Sequence, residues 1–583
     1  MTALRIANCS GFYGDRASAA REMIEGGDID VLTGDYLAEL TMMILWKAYR
    51  PDGSGGYART FVSQMEDVLG IALERGIKVV TNAGGLNPAG LAAAVQEVGR
   101  GLGLSPKVSY ITGDDMLARL GELQEGGVDL RHIDRNQTFA DLDRKAVTAN
   151  VYLGSWGIVE ALEHGADIVV APRVTDAALT VGPAAWKHGW ARTDWDPIAA
   201  AVLAGHVIEC GTQATGGNFA FFREVPNLRR LGFPIAEVAA DGTIHITKHD
   251  IHNGLVSLGT VTAQLLYEVA SPRYITPDVV ARLDTAVVEQ VDRDRVRITG
   301  VRGEPPTGTS KLGINYIAGF RNSMSFVLTG LDIEAKADLL LDQLFDLIGA
   351  REEYDAVEVE LIRSDQMDAP TNETAMAYLG VTVRSRDGDA VGRRFSGACV
   401  ELGLASYPGF TTTTPPTDGE SYAAMWPTLV PSELVSQIVV HHDGSTSEIP
   451  ELVKGPPGDP VRIVSVDAEV QGSETTWAPL GRLFGARSGD KGGNANCGMW
   501  ATSDAAYVWL RDYLSIDRLQ SYVGKQYDVR RFEFPNLRAL NFVIYDYLGE
   551  GVAANAKRDP QAKGLGEYVR SRYAPIPSAL LRA

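Results

Sequence analysis

Short apolar runs alternate with amphipathic helical stretches through roughly the first 190 residues of the chain. The runs are LRIANCS (4–10), DIDVLTGDY (28–36), IKVVTNAGG (77–85), KVSYITGDD (107–115) and ADIVVAPRV (166–174). Strands of a parallel sheet are buried on both faces, and they therefore read as nearly continuous apolar runs. The alternation predicts an α/β fold whose N-terminal part is a doubly wound, mainly parallel sheet.

Polar residues follow these predicted strands at the edge where such sheets bind ligands. In parallel sheets the ligand crevice lies beyond the carboxyl ends of the strands. The polar residues at the predicted ends are Asp15, Arg16, Asp35, Asn82, Asn87, Asp114, Asp115, Arg173, Thr175 and Asp176. We predict that Arg16, Asn82 and Arg173 contact the substrate and that Asp176 is catalytic.

A glycine-rich stretch, GHVIECGTQATGGNF (205–219), gives a second group of candidates. Cys210 is a candidate nucleophile with His206 or Glu209 as its base, because a thiolate needs a nearby proton acceptor or positive charge. The alternative is a buried cysteine beside a tight turn. The glycines do not follow the GxGxxG spacing and the chain has no GxxxxGK[ST], so we expect neither a dinucleotide site nor a P-loop.

After about residue 233 the regular alternation gives way to hairpins and longer amphipathic helices, which predicts an α+β subdomain. A hairpin turning at Asp241-Gly242 opens this region, and SLGTVTAQLLYEV (257–269) has helical spacing typical of core packing. Lys311 stands in a Gly/Thr-rich stretch, where a residue could line a cleft, and we interpret it as part of a scaffold turn.

The chain is longer than one hydrophobic core usually organises, so we expect two or three domains. Residues 445–475 are rich in Pro, Gly and acidic side chains, which predicts a linker. We therefore expect an α/β domain at 1–444 and a second domain at 476–583. Strands grouped with two helices in this last part favour a small ferredoxin-like α+β domain.

One polar stretch near the C-terminus, GRLFGARSGDKGGNANCGMW (481–500), is rich in candidate chemistry. Small, polar and oppositely charged residues are costly to bury in a core strand, so we predict a functional loop. Its glycines would let backbone N–H groups approach a ligand. We predict that Asp490 is catalytic. The predicted substrate-binding residues of this stretch are Arg487, Ser488, Lys491, Gly492, Gly493, Asn494 and Asn496.

The formal net charge of −20 argues against DNA or RNA as a partner. The charge is unevenly distributed, since 476–583 carries 15 Lys/Arg against 10 Asp/Glu, a local +5, and the remainder carries −25. We expect the basic C-terminal part to dock on the acidic body and to bind an anionic small-molecule substrate.

Cysteine and histidine usage predicts no structural metal and no disulfide framework. The four cysteines lie far apart and form no CxxC pair, which is typical of a reducing cytoplasm. A histidine-rich group matches no standard zinc spacing, and its members are His245, His249, Asp250 and His252. No apolar run approaches about twenty residues, so we expect no membrane partner. Base rates for long α/β chains favour a homo-oligomer.

Several motifs, in order along the chain, resemble those of the acyclic terpene utilisation (AtuA-like) family. They are SGFYGDR, TGDYLAELT, TNAGGLNP, APRVTDAALTVGP, ECGTQATGGNF and FGARSGDKGGNAN. The resemblance spans essentially the whole chain and implies a large AtuA-type domain followed by a small ferredoxin-like one. It also implies a place in the catabolism of branched acids carried as coenzyme A thioesters.

Together the residues and the resemblance favour an enzyme that acts on a branched acyl-CoA or related carboxylate, as a lyase or hydratase. Asp490, Glu209 or Asp176 would supply the general base, with coenzyme A as part of the substrate and no tightly bound cofactor. Two alternatives stay open. One is a hydrolase with Cys210 or Cys497 as nucleophile, and the other is a non-catalytic subunit that binds acyl-CoA.

Overall fold

The computed structural model describes residues 3–50, 52–449, 465–469 and 472–582. The chain divides into two compact units. The first comprises Met1–Asn315, Met425–Val552 and Asp559–Ala583, and the second comprises Tyr316–Ala424 and Ala553–Arg558. Every candidate site residue predicted above belongs to the first unit.

Strands and helices alternate in the first part of the chain, as the apolar runs predict. Local sequence fixes several helix starts: α4 follows Asn87, whose side chain accepts a hydrogen bond from the Gly90 amide at 2.9 Å, and its first residue is Pro88. The elements are β1 Leu4–Asn8, α1 Ala19–Glu25, β2 Val31–Gly34, α2 Glu39–Ala48, α3 Arg59–Glu74, β3 Lys78–Thr81, α4 Pro88–Gly101, β4 Val108–Thr112, α5 Leu120–Glu125, β5 Ala146–Val151, α6 Trp156–Glu163, β6 Ile168–Val170, α7 Ala178–His188 and α8 Trp195–Ile208.

The middle of the chain is richer in strands. Helix α9 begins after Ser257, whose hydroxyl accepts from the Thr260 amide at 3.2 Å, and it ends at Leu265, earlier than its apolar spacing predicts. The elements are β7 Ile235–Val238, β8 Ile244–Thr247, α9 Leu258–Leu265, β9 Arg273–Ile275, β10 Val280–Arg282, β11 Val287–Asp292, β12 Arg295–Thr299, β13 Arg302–Glu304, β14 Thr309–Thr329, α10 Ile333–Ile348, β15 Ala356–Ile362, β16 Met376–Ser385, α11 Gly388–Val391, α12 Arg393–Glu401, β17 Thr411–Thr412, β18 Glu420–Pro431, β19 Gln437–Val440 and β20 Thr446–Ile449.

The C-terminal part forms a small α+β domain with its own apolar core, around Phe484, Leu510 and Phe542. Its elements are β21 Thr475–Pro479, β22 Phe484–Lys491, β23 Asn494–Ala501, α13 Asp504–Tyr513, α14 Ile516–Val523, β24 Val529–Phe534, β25 Ala539–Ile544, α15 Leu565–Arg570, β26 Tyr573–Pro577 and α16 Ser578–Arg582. Antiparallel strands in the order β22-β23-β25-β24, with α13 and α14 joining β23 to β24, give the predicted ferredoxin-like arrangement.

Within the described residues, eleven strands form the largest sheet, in the order β11-β12-β8-β7-β1-β2-β3-β6-β4-β19-β20. The central strands β1, β2, β3, β6 and β4 are parallel neighbours. Their carboxyl ends therefore meet at one edge of the sheet. These strands and helices α3 and α4 contribute to one apolar core, which includes Leu32, Phe61, Met65, Val79 and Leu91.

The five strands that the apolar runs predict are parallel neighbours, but six further strands pair antiparallel at the two sides, so the whole sheet is mixed rather than mainly parallel. The physical reason is connection length. Short hairpins such as the turn at Asp241-Gly242 between β7 and β8 produce antiparallel neighbours, whereas parallel neighbours need a long crossover. The doubly wound placement of the helices stays a prediction.

The second unit is built on long antiparallel strands. Strand β16 pairs with β15 on one side and with β14 on the other, where Phe320 lies opposite Ser385. Helices α10 and α12 contribute to its apolar core, which includes Phe326, Leu340 and Phe395.

The predicted boundaries map onto the structure as follows. Strands β7 and β8, just after the subdomain boundary expected near residue 233, join the same large sheet as β1. Of the predicted 445–475 linker, 446–449 form β20, while 450–464 and 470–471 lie outside the described residues. None of the described helices is both long and apolar enough to span a bilayer.

Candidate active site

Most of the stretch that was predicted as a loop, 481–500, belongs to the buried hairpin β22–β23, which spans Phe484–Lys491 and Asn494–Ala501. Arg487 pairs with Gly498 and Lys491 with Asn494, and Gly492-Gly493 forms the turn. The prediction failed because buried polar side chains are costly only when they lack partners, and these find partners in distant segments. Close packing also needs the glycines, since a methyl group at Gly489 would overlap the ring of Tyr267.

Asp35 and Asn82 lie side by side at the carboxyl ends of β2 and β3, and both are buried. Asn82 Nδ2 donates to Asp35 Oδ1 at 2.6 Å, and Asn82 Oδ1 accepts from the Tyr36 amide at 2.8 Å. Burial, followed by the charge of Asp176, raises the pKa of Asp35 well above its ordinary value. Asn82 thus holds a buried carboxyl group in place.

Arg173 follows β6 and places a buried guanidinium at the same edge of the sheet. Its Nη2 lies 3.1 Å from Asp176 Oδ1, its Nη1 donates to the Leu37 carbonyl, and the guanidinium stacks 4.1 Å above the centroid of the Tyr152 ring. Burial opposes its charge, but Tyr152, Asp176 and Asp35 raise the pKa of Arg173 above its ordinary value. The residue is a fixed cation.

Glu39, the first residue of α2, forms an ion pair with Lys311. The Lys311 Nζ lies 2.8 Å from Glu39 Oε1 and 4.7 Å from the centroid of the Tyr152 ring. Burial disfavours ionisation of Glu39, but Lys311, with Lys491 and Arg173, holds its pKa below the ordinary value. Glu39 is therefore ionised at neutral pH.

His206 and Glu209 lie one turn apart where α8 ends. His206 Nδ1 lies 3.2 Å from Glu209 Oε1, and the His206 ring centroid lies 4.9 Å from that of Tyr274. Burial, followed by the charge of Lys491, lowers the pKa of His206 to about 4, so the imidazole is neutral at pH 7. Burial, followed by the charge of Asp176, raises the pKa of Glu209 well above its ordinary value.

Cys210, the next residue, carries a poorly acidic thiol. Burial, followed by the charges of Glu209 and Glu268, raises its pKa well above the ordinary value, and Arg487 only partly opposes this. A nucleophilic cysteine requires the opposite shift, toward the thiolate. Cys497 is less suited still, because it is buried in the core of the C-terminal domain, where burial raises its pKa to about 12.

The hairpin contacts the segment after α9 through Arg487. The guanidinium lies 4.0 Å from the centroid of the Tyr267 ring, and Nη2 donates to Gln213 Oε1 in the glycine-rich stretch. Burial, followed by the charge of Glu268, raises the pKa of Tyr267 well above its ordinary value. Arg487 therefore connects the C-terminal domain with both upstream segments.

Asn496 and Asn541 form hydrogen bonds with the backbone of Glu268 and of the residue after it. Asn496 Oδ1 accepts from the Glu268 amide at 2.9 Å, its Nδ2 donates to Asn541 Oδ1, and Asn541 Nδ2 donates to the Val269 carbonyl at 2.7 Å. Burial raises the pKa of Glu268, although Lys491 and Tyr267 oppose the shift. Both asparagines are completely buried, so this clamp is fully dehydrated.

Asp490 and Lys491 end strand β22 beside these groups. Burial, followed by the charges of Glu268 and Glu39, raises the pKa of Asp490 to about 8. The Lys491 Nζ lies 6.0 Å from the centroid of the Tyr274 ring, and its charge acts on Glu39, His206, Glu209 and Glu268. Asp490 is thus protonated at neutral pH, in a site that also holds the ammonium group of Lys491.

These groups form one site, which we call the carboxyl cluster. Its acids are Asp35, Glu39, Asp176, Glu209, Glu268 and Asp490, and its cations are Arg173, Lys311, Arg487 and Lys491. Solvent reaches it, since the side chains of Glu39 and Asp176 are 30% and 32% exposed. Within the described residues, three buried polar atoms of these members have neither a hydrogen-bond nor an ion-pair partner: Arg173 Nε, Glu209 Oε2 and Arg487 Nε. Such atoms are expected where a ligand binds.

Comparison with known families covers both parts of the chain. The profile of the acyclic terpene utilisation family protein AtuA matches residues 4–441, and that of the AtuA ferredoxin-like domain matches residues 478–573. The chain belongs to the AtuA family. Membership implies involvement in acyclic terpene utilisation. No curated protein sequence and no solved structure matches the chain.

Both AtuA regions contribute side chains to the carboxyl cluster. The first supplies the acids from Asp35 to Glu268, and the ferredoxin-like domain supplies Arg487, Asp490 and Lys491. A site of this AtuA family member is therefore assembled from both matched regions.

The structure places five predicted substrate-binding residues of this AtuA chain away from the cluster. Arg16 binds Glu22 at 2.7 Å and the Leu231 carbonyl. Ser488 stays within the C-terminal domain, where its Oγ accepts from the Gly566 amide at 2.8 Å.

The other three lie at the turn of the hairpin. Asn494 Nδ2 donates to Asp134 Oδ2 at 3.0 Å, and its Oδ1 accepts from the Asp546 amide at 2.9 Å. Gly492 and Gly493 face the segment around Gly549, and the Gly493 carbonyl accepts from the Leu548 amide at 2.9 Å. Asn494 therefore docks the C-terminal domain on Asp134, whereas the contacts described for Gly492 and Gly493 lie within that domain. The adjoining cluster residue is Lys491, which pairs with Asn494.

Sequence reasoning left several cluster residues out of the predicted site. Asp35 was visible as a polar strand end, whereas Glu39 and Lys311 carry no local signal because each is defined by its partner across the fold. Glu268 was hidden in an apolar pattern that predicted a continuous helix, and α9 stops before it. His249 belongs to the histidine-rich group for which we predicted no metal, and its Nε2 lies 2.9 Å from the Met23 carbonyl.

Proposed function

We propose that this AtuA family member is an enzyme of acyclic terpene or branched-acid catabolism that acts on a branched acyl-CoA or related carboxylate, as a lyase or hydratase. The observation that carries the proposal is the pair of opposite protonation states within one cluster. Asp490, with a pKa raised by burial to about 8, is an acid at neutral pH, while Glu39 is held ionised by Lys311. Such divergence separates the general acid from the general base in many enzymes.

The reaction class follows from what these groups can exchange. In the hydration of an enoyl thioester, a carboxylate removes a proton from water, and the oxygen bonds to C3. The C2=C3 electron pair moves to the thioester carbonyl, and a carboxylic acid then protonates C2. Lyase cleavage of a 3-hydroxyacyl thioester needs the same two roles, since a base removes the hydroxyl proton and an acid protonates the departing carbanion.

Two guanidinium groups are suited to bind the anionic group of the substrate or the oxyanion that forms in the reaction. Arg173 and Arg487 are each buried and each keep an Nε–H without an acceptor among the described residues. A substrate carboxylate or a thioester oxyanion would satisfy these donors, and charge-assisted bonds in a dehydrated site are strong. Lys491 adds a point charge. Coenzyme A enters as part of the substrate, and we propose no tightly bound cofactor.

The thiol hydrolase alternative is disfavoured by the raised pKa values of Cys210 and Cys497. A scaffold that only binds acyl-CoA would not need a carboxyl group with a pKa near neutrality. The oligomeric state stays a prediction.

The test is turnover of citronellyl-type and geranyl-type CoA thioesters and their free acids, followed by mass spectrometry in ordinary and ¹⁸O-labelled water. We expect a hydrated product that carries the label, or two cleavage products, and we expect Glu39→Gln, which removes the proposed base, to slow its formation by about 100-fold. Cys210→Ser should remain active. Loss of turnover in Cys210→Ser with retention in Glu39→Gln would establish the thiol mechanism instead, and thermal stabilisation by the thioesters without any product would establish the scaffold.

A further inference from the structure

Three side chains of the types that bind metals, Glu160, His164 and His441, lie at the amino ends of the parallel strands, opposite the carboxyl cluster. His164 follows α6 and precedes β6, so it stands at the amino end of a parallel strand. His441 follows β19, whose register places Val440 opposite Tyr110 and runs toward the amino end of β4. The group is therefore separate from the residues used in the proposed reaction.

The geometry of this group brings three potential ligands together, one carboxylate and two imidazoles. Glu160 lies in the last turn of α6, and His164, the residue after the helix, is one turn further on. One ligand atom each of Glu160, His164 and His441 lies within 4.8 Å of the others, and this is the one such group of three among the described residues. Glu160 Oε1 lies 3.7 Å from His441 Nε2, and the two imidazole rings stack with centroids 3.9 Å apart. Because imidazole lone pairs lie in the ring plane, the His164 ring must rotate to share an ion with His441, and its side chain, which is 43% exposed, has room to do so.

His441 is the anchor of the group. Its side chain is only 1% exposed, and its Nδ1 has no hydrogen-bond partner within the described part of the chain. Its Nε2 lies 2.8 Å from Ser447 Oγ, which fixes the orientation of the ring.

We infer that Glu160, His164 and His441 bind a divalent transition-metal ion, with Zn²⁺ as the best match. Two imidazoles and one carboxylate are a common zinc donor set, whereas Ca²⁺ and Mg²⁺ require oxygen ligands. Water or Asp443, whose Oδ2 lies 3.6 Å from His164 Nε2, would complete the coordination.

The ion would act as a structural clip between α6 and β19. These elements are far apart in sequence, and β19 joins the sheet only through β4 and β20. A ligand that binds only the folded protein raises its stability by mass action. We therefore expect zinc to raise the melting temperature without being needed for turnover, which keeps this inference independent of the proposed function.

The test is calorimetric titration of the full chain with Zn²⁺ after treatment with EDTA. We expect one ion per chain, and His164→Ala should weaken binding at least tenfold and abolish the zinc-dependent rise in melting temperature. The side chain of His164 is 43% exposed, so the variant should fold normally. The matched control is His245→Ala, a histidine on β8 outside this group, which should bind zinc like the unaltered chain.

Cobalt substitution provides a second readout. Co²⁺ in a site with nitrogen ligands and low coordination number gives visible absorption bands, and these should be absent from His164→Ala. The inference is overturned if the unaltered chain binds no zinc, if His164→Ala binds it with unchanged affinity, or if His245→Ala loses it equally.

Discussion

Glu268 combines an unusual backbone with an unusual side-chain environment. Its φ of +56° lies in the left-handed region, where a non-glycine residue is strained unless its surroundings impose the conformation. Here the surroundings are Asn496, which accepts from its amide, and Asn541, which binds the next carbonyl. Strain that is maintained by buried hydrogen bonds is a common property of functional residues, so Glu268 joins Asp490 as a candidate acid or base.

Asp490 gives the clearest prediction at this scale. Its pKa of about 8 in the folded protein exceeds the value near 4 of an unfolded aspartate, so the unfolded chain loses this proton first as the pH rises. The folded state is therefore progressively destabilised between about pH 4 and pH 8. Asp490→Asn should remove this loss, and its melting temperature should gain about 2 °C or more on the unaltered chain between pH 5 and pH 8.

The same substitution should lower kcat by about 100-fold, and the kcat/KM of the unaltered chain should fall above about pH 8, where the acid ionises. Asp512→Asn, at a side chain that is 69% exposed, is the control and should change neither property. An unchanged pH dependence of melting in Asp490→Asn would show that the carboxyl group is ionised in the folded protein.

At the scale of elements, strand β23 of the hairpin carries one residue that supports the site and another that docks the C-terminal domain. Asn496, near the middle of β23, holds Glu268, whereas Asn494, at its start, binds Asp134. Both side chains are buried and both bond to upstream segments. Their substitution should therefore separate a loss of catalysis from a general loss of stability.

Asn496→Ala should lower kcat by about tenfold or more with little change in KM, because the backbone of Glu268 loses its acceptor. It should also destabilise the fold by about 1–3 kcal/mol, since buried partners are left unpaired. Asn494→Ala should cost similar stability and leave kcat within about twofold. Chemical denaturation and steady-state kinetics check both, and equal effects on kcat would show that the whole hairpin, rather than Glu268, determines activity.

Single strands could be predicted from the sequence because the apolar pattern of a strand is local. The apolar runs located β1, β2, β3, β4 and β6, and the polar residues after them lie at the edge of the sheet where the carboxyl cluster stands. Pairing of the outer strands was not predictable, because it depends on contacts distant in sequence. The hairpin was misread for the same reason: Arg487 and Asn496 look too polar for buried strands until Gln213 and Glu268 are known to face them.

At the scale of the molecule, the carboxyl cluster depends on both AtuA regions, and a small contact outside it joins them. Arg135 Nη2 donates to Asp546 Oδ1 at 2.6 Å and to the Gly549 carbonyl at 2.8 Å. Nearby, Arg131 makes only local bonds, to Asp129 and Asn136, within the described residues. The C-terminal domain also has its own apolar core. The two regions are therefore expected to fold separately and then associate.

Two fragments divided within 450–464 should each be inactive alone and should recover activity when mixed. Arg135→Glu should weaken their association by about tenfold or more, because it places a carboxylate against Asp546, while Arg131→Glu should have little effect. Activity as a function of fragment concentration measures both. Turnover by the N-terminal fragment alone would exclude Asp490 and Lys491 from the reaction.

The late position of Arg487 and Lys491 in the chain has a consequence for biosynthesis. Domains fold from the N-terminus as the ribosome delivers them. Asp35, Asp176, Glu209 and Glu268 are thus translated several hundred residues before these two cations and before Asp490. A nascent chain therefore carries an incomplete pocket until residues 487–491 have been made, so under the proposed function it becomes active only after the ferredoxin-like domain has been synthesised.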